Sequence, residues 1–257
     1  MIESTPYKFD VIVKPTKNLS IEDCLQTENG KKMVNQIFNN KIKQVLREKN
    51  MDELTRGKYF DKKEIIVKNV GLNIIRGYKF TLCTLKSGLY LNIDACSRVF
   101  RSYNLLEEIS SNKSKDFIDS LVGETIITTY GRRRTYKINR VCRDMTPNSK
   151  FYHDKRAGLV TFAEYYAESY GIKVTAPKQP LLEVVLRKEK KMNKEGQLVE
   201  NEVMGFLIPE FVSLTGMSDE QRGDYRTMKE IAPFTKLEPA ERMKEQDRVR
   251  EMFNSSG

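Results

Sequence analysis

The chain has 257 residues, 39% hydrophobic and 31% charged, which supplies enough apolar side chain for a core but too little length for two fully independent domains. Lys and Arg outnumber Asp and Glu by 45 to 35, and the resulting net charge of +10 favours polyanionic partners through phosphate neutralisation and counterion release. Four scattered cysteines without a CxxC pair, one histidine and no apolar run near about 20 residues argue against a zinc site, a disulfide framework and a membrane span. A reduced, intracellular protein without metal or cofactor is expected.

In chain order, the alternation from Tyr7 to Lys14 predicts a strand stopped by Pro15. Met33, Val34, Ile37, Phe38, Ile42, Val45 and Leu46 recur at helical spacing, predicting an amphipathic helix from Lys31 to Lys49 with a lysine-rich outer face. Ile65 to Val67, Leu72 to Ile75, Tyr78 to Leu85 and Leu89 to Ile93 read as short strands, the last two joined through Lys86-Ser87-Gly88. Ser114 is placed to cap a helix carrying Phe117, Ile118, Leu121 and Val122. Strands then return at Glu124 to Tyr130 and Arg134 to Arg140, around a Gly131-Arg132-Arg133 tip. Thr161 opens a short helix that Gly171 ends.

Leu181 to Leu186 and Met204 to Ile208 are expected to pair across a charged, mobile loop from Arg187 to Glu202. Ser218-Asp219-Glu220-Gln221 is a capping box for a helix running through Tyr225, Met228 and Ile231 to a boundary at Pro233. Glu238-Pro239-Ala240 starts another, with Ala240, Met243, Val249 and Met252 as a partial apolar stripe. Strands in the middle with helices at both ends and one inserted helix predict an α+β fold, a small β-barrel carrying an α/β addition.

Enzyme signatures are missing: there is no GxxxxGK[ST], HExxH or GxSxG, and no base beside a nucleophile at the lone His153. Aromatic and basic residues are instead mixed in one central span: Tyr130, Arg132, Arg133, Arg134, Tyr136, Phe151, Phe162, Tyr165, Tyr166 and Tyr170. Rings stack on unpaired bases, phenols donate to phosphates and arginines neutralise them, so this mixture suits single-stranded RNA. Packing competes with that reading at Phe162 and Tyr166, four apart on a helix. Tyr165 and Tyr170 are separated by about 140° on an ideal helix, so both cannot face one core. The three arginines serve equally well as a solvated hairpin tip.

The run Leu121-Val122-Gly123-Glu124-Thr125-Ile126-Ile127-Thr128-Thr129-Tyr130-Gly131-Arg132-Arg133-Arg134-Thr135-Tyr136 resembles the hairpin of a Piwi-clade Argonaute PAZ domain. Phe162-Ala163-Glu164-Tyr165-Tyr166, Tyr170-Gly171-Ile172, Gln179-Pro180-Leu181-Leu182, Leu207-Ile208-Pro209-Glu210 and Leu214-Thr215-Gly216 follow in the family's order. Upstream, Gly57-Lys58-Tyr59-Phe60 and Leu91-Asn92-Ile93-Asp94 resemble the first linker. The resemblance implies three parts: an N-terminal region with the first linker at 1–92, a PAZ domain at 93–216 and second-linker helices at 217–257. It implies an OB-like barrel with an α/β insert whose cleft takes the 3′ end of a small guide RNA, including the 2′-O-methylated ends of piRNA-like guides in gene silencing. Carried over by residue, Tyr136 contacts phosphate, Tyr165 and Tyr170 face the terminal nucleotide, Phe151 stacks and Leu182 is an apolar wall. Arg134 sits near the basic phosphate ligand, and Tyr130 stands near a position often held by histidine.

The resemblance also implies Mid and Piwi domains as partners beyond Phe253 in a longer protein, with cleavage not expected from this segment. A protein-interaction or decoy module and a divergent nuclease are the competing readings.

Overall fold

The computed structural model describes residues 20–85, 88–153, 157–192 and 198–255, so the strand expected at 7–14 lies outside the described residues. These residues divide into two compact units: 20–44 with the described residues of 82–90, and 45–81 with those from 91 onward. The first begins with α1 (Ile21–Leu25), where the backbone N–H of Asp23 donates to the Ser20 hydroxyl at 3.0 Å. Next comes α2 (Glu28–Glu48), an amphipathic helix as expected, which buries Val34, Ile42, Val45 and Leu46 and exposes Lys32 and Lys41, although Met33 and Ile37 of the expected stripe are also exposed.

In the second unit β1 (Asp52–Thr55), β2 (Lys58–Val67), β3 (Leu72–Leu85) and β4 (Gly88–Arg101) form a four-stranded sheet in sequence order, the last two strands reaching into the first unit. The segments 72–75 and 78–85 are therefore one strand. Gly77 joins them, where a Cβ would stand 2.2 Å from the Tyr59 carbonyl oxygen. Between the sheets come α3 (Leu105–Ser111), capped by Asn104 and not expected from the sequence, and α4 (Lys115–Ser120), capped by Ser114 as expected. That helix ends before Leu121, and Val122 is exposed.

The second sheet contains β5 (Thr125–Thr128), β6 (Thr135–Cys142), β9 (Leu181–Met192), β10 (Leu198–Leu207) and β11 (Val212–Leu214) in the order β10-β9-β6-β5-β11, every pair antiparallel. Between β6 and β9 lies the inserted module: a hairpin of β7 (Lys150–His153) and β8 (Gly158–Thr161), followed by α5 (Phe162–Tyr170). The α+β composition is as expected, and the strands form open sheets with no closed barrel among the described residues.

The large sheet is nevertheless curled. Leu207 ends β10 at one edge and Val212 starts β11 at the other, with only a 3-10 turn (Pro209–Phe211) and Ile208 between. Four strand spacings of about 4.8 Å set those edges about 19 Å apart on a flat sheet, and five residues reach at most about 17 Å. The edges must therefore bend toward each other. Inside the curve Ile126, Ile138, Leu182, Val184, Val212 and Leu214 pack against Leu105, Ile109, Ile118 and Leu121 of the two short helices and their flanks. Truncating any of these to alanine would cost about 2–5 kcal/mol.

Two expectations are corrected by the strand ladder and the C-terminal helices. The described residues of the charged stretch, 187–192 and 198–202, are not loop: they continue β9 and β10 as a paired ribbon, with Lys188 opposite Glu202 and their side chains 3.0 Å apart. Opposite charges across a two-stranded ribbon support pairing without a core, which a polarity argument overlooks. The capping box at Ser218 is present, but it starts only α6 (Asp219–Gly223). Asp224 recaps a separate α7 (Tyr225–Thr235), accepting from the backbone of Arg226 and Thr227, and Pro233 lies inside that helix. Finally α8 (Pro239–Asn254) starts at the expected proline but buries only Val249 fully; Ala240 and Met243 are exposed.

Candidate nucleic-acid interface

The inserted helix α5 is fixed at both ends by local chemistry. The Glu164 N–H donates to the Thr161 hydroxyl at 3.1 Å, the Thr161 N–H donates to the Glu164 carboxylate at 2.9 Å, and Gly171 closes the helix with φ +68°. One face is core: Phe162 and Tyr166 are buried among Cys142, Leu181 and Ile208. That outcome agrees with the packing alternative for these two residues. Tyr165, half-buried, and Tyr170, which is 41% exposed, flank that face on its two sides, their rings 5.8 and 5.6 Å from Tyr166.

Across from α5 stands the tip of the β5–β6 hairpin. Thr128 and Arg134 close it with paired 3.0 Å hydrogen bonds, and Gly131 turns it at φ +57°. Tyr130 leaves the tip toward the helix, its ring centroid 4.6 Å from Tyr170 and 5.1 Å from Tyr166, both edge-on. The Tyr130 and Tyr166 hydroxyls are hydrogen-bonded at 2.8 Å. Tyr130 is thus a structural backing for Tyr170, and its hydroxyl is already engaged. Burial, then the Tyr166 charge and hydrogen bond, hold its phenol far above the usual range.

Tyr165 and Tyr170 form an edge-on pair at 6.0 Å. The Tyr170 phenol is pushed up to about 12, first by burial and then by its hydrogen bond to Tyr165, against the lowering influence of Arg134. Tyr170 is therefore a neutral donor with an exposed ring. Phe151 of β7 stacks on Phe162 at 4.6 Å and meets Tyr165 edge-on at 5.7 Å, so one of its faces is occupied by the core. Tyr136, half-buried on β6, contributes to the fields at both Tyr130 and Tyr170.

Four of the seven residues singled out from sequence thus fall into one aromatic cluster, Tyr130, Phe151, Tyr165 and Tyr170, while Arg134 and Tyr136 act on Tyr170 only through their fields, Tyr136 packing against the curled-sheet core. Leu182 does neither. Adjacent residues on a strand point to opposite faces, so Leu182 is sealed in the curled-sheet core while Leu181 packs beneath the tyrosines. Three contributors were not foreseen. Phe211 of the 3-10 turn stacks on Tyr166 at 5.3 Å. His153 lies 5.5 Å from Tyr165, with a buried Nδ1 that has no partner among the described residues. Glu210 clamps the loop after α5, accepting from the Thr175 N–H at 3.1 Å and the Gln179 amide at 2.9 Å. No signal at helical or strand spacing would have revealed them, since each acts from a turn or a hairpin end.

Residues 94–238 match the PAZ domain family. The chain belongs to that family. Among curated proteins the PAZ chain is 29% identical over 215 residues to Piwi-like protein Ago3 of Bombyx mori and 28% identical over 247 residues to protein argonaute-3 of Drosophila melanogaster. Those alignments cover 80% and 92% of this chain but 23% and 28% of the relatives, so it spans about a quarter of their length. The solved structure of Drosophila Piwi shares its fold with a TM-score of 0.56 at 20% identity, over 86% of this chain and 26% of that one. The Piwi-clade resemblance of the sequence motifs is thereby borne out. Among the described residues no helix is long and apolar enough to cross a membrane, and no group of three His, Cys, Asp or Glu is placed to hold a metal ion.

Proposed function

We propose that this chain binds a small single-stranded guide RNA in gene silencing, and that the cleft between α5 and the β5–β6 hairpin anchors the RNA's 3′ end. The observation that carries the proposal is the edge-on Tyr165–Tyr170 pair, with Tyr170 exposed at the surface and Arg134 near enough to act on its phenol. Two phenolic donors and one cation suit a single phosphodiester, and neutral donors carry no repulsion toward it. Tyr136 adds a third hydroxyl from the strand side, Phe151 offers an aromatic edge to the terminal base, and Tyr130 holds Tyr170 in place. The family assignment and the net charge of +10 support the same reading.

The surroundings of Tyr165 and Phe151 are aromatic, which favours a 2′-O-methylated end because methylation removes a hydroxyl donor that the cleft would otherwise have to satisfy. Leu182 supports the cleft only from behind, through β9. Mid and Piwi domains are the partners in a longer protein, and PAZ boundaries at 93 and 216 are part of the proposal. The test compares binding of a short RNA bearing a free 3′ overhang with the same RNA blocked at that end by a bulky group. A marked loss on blocking is expected, and equal affinity would overturn end recognition.

A further inference from the structure

A second concavity lies against the hairpin tip, on the side of the first sheet. It encloses about 430 Å³, within the size range of small ligand sites, and is walled by the end of α2, by β1 and β2, by the 132–136 side of the hairpin and by β9. Five cations line it, Arg47, Lys62, Arg132, Arg133 and Arg134, against two carboxylates, Asp52 and Glu53. The Glu53 carboxylate is turned to the Gly57 N–H at 3.3 Å, and Asp52 is buried, so the accessible charge is positive.

Arg133 supplies the built part of the wall. Its Nη2 donates to the Lys62 carbonyl at 3.1 Å and to the Glu64 carboxylate, which pins the hairpin tip to β2. Its Nη1 is buried and has no hydrogen-bond partner among the described residues, a donor the fold supplies and does not use. Arg47, Lys62 and Arg132 are exposed and have no ion pair among the described residues. On β9 the register shift between Val203 and Met204 leaves Leu186 as an extra residue at the rim, an apolar surface for a sugar or base.

We propose that this cavity binds backbone phosphates of the same single strand immediately upstream of its 3′ end, so that the first linker and the PAZ hairpin grip the RNA together. The inference rests on the 3′-end reading for direction. Continuity carries it: Gly131 of the hairpin tip lies against the Tyr170 ring and the next three residues, Arg132 to Arg134, line the cavity, so a strand leaving the cleft across the tip meets the basic concavity next. The linker thereby becomes part of the RNA site, with Arg47 and Lys62 as contacts outside the matched 94–238 region.

The experiment uses the whole chain with Arg47→Ala and Lys62→Ala combined, both exposed positions whose loss leaves the core intact. Binding is measured over a salt series for a dinucleotide, for a single strand of about ten nucleotides and for that strand with a blocked 3′ end. The double variant is expected to weaken the longer strand about tenfold and to flatten its log K against log salt slope by about 1.4, while leaving the dinucleotide unchanged. Unchanged affinity and slope for the longer strand would overturn the proposal, and so would equal losses for dinucleotide and longer strand. Equal binding of free and blocked strands condemns the 3′-end reading instead, and does so in the unmodified chain, so the two failures are separable.

Discussion

Tyr130 and Tyr170 lie 4.6 Å apart yet are predicted to respond oppositely to substitution. Tyr130→Phe keeps the ring that backs Tyr170 and removes only the hydroxyl bonded to Tyr166 at 2.8 Å, a buried hydrogen bond with a net worth of about 1–2 kcal/mol. Stability should fall by that amount, and RNA affinity should stay within about twofold. Tyr170→Ala removes a ring that is 41% exposed, so its loss of edge contacts with Tyr130, Tyr165 and Tyr166 costs only about 0.5–1.5 kcal/mol of stability. It also removes a phosphate donor and a surface for the terminal nucleotide, each worth about 1–3 kcal/mol in binding, hence a loss of at least about thirtyfold. Urea denaturation gives the first quantity, and fluorescence anisotropy with a labelled single strand gives the second. If Tyr130→Phe weakened binding as much as Tyr170→Ala at an unchanged urea midpoint, the division between backing and contact residues would be wrong.

Gly131→Ala forces a Cβ onto a φ of +57° and to 3.2 Å from the Tyr170 ring, so it should cost about 1–2 kcal/mol and also weaken RNA binding; Gly171→Ala, at φ +68° with open space around it, should cost stability alone. Comparing urea midpoints with affinities for the two variants checks this. Burial opposes ionisation of Glu210, but hydrogen bonds from Thr175 and Gln179 prevail and hold its carboxyl below the usual range. A depressed folded value means stability present above the unfolded value near 4.5 and lost as pH falls through the folded one, so acid unfolding should begin later in the unmodified chain than expected for a free carboxylate, and Glu210→Gln should remove that pH-dependent part. Tyr170 has the reverse sign: its value of about 12 against about 10 unfolded predicts stability that is complete below pH 10 and declines above it, measurable as alkaline unfolding that Tyr170→Phe makes less steep.

Much of the local structure was legible because it is enforced within a few residues. Ser114 and Thr161 each cap the helix they were expected to cap, Ser218 forms its capping box although on a shorter helix than expected, and Gly171 ends α5, since an unsatisfied N–H at a helix start needs a nearby side-chain oxygen whatever the fold. The pairing of Phe162 with Tyr166 as a buried stripe was legible for the same reason, four residues being one helical turn. The ribbon of 187–192 with 198–202 was not, because its stability comes from cross-strand partners rather than from an apolar face. Nor were α3, α6 and the Asp224 recapping, short segments whose periodic signal is too brief to stand out.

The sequence by itself determined which side chains could meet RNA: a basic chain, a hairpin tip rich in arginine, and a capped helix whose Tyr165 and Tyr170 could not both be buried. It also carried the family resemblance, through motifs in a fixed order. Only the tertiary structure decided which of those side chains remain free. Strand alternation sends Leu182 into the core and Leu181 under the tyrosines, and a distant turn brings Phe211 against Tyr166, which in turn consumes the Tyr130 hydroxyl. The same folding sets Arg47 and Lys62 of the linker beside Arg132 and Arg134 of the hairpin. Period and capping act over one turn of chain, whereas burial and charge are settled by neighbours that chain separation hides, and so the cleft could be anticipated while its division of labour could not.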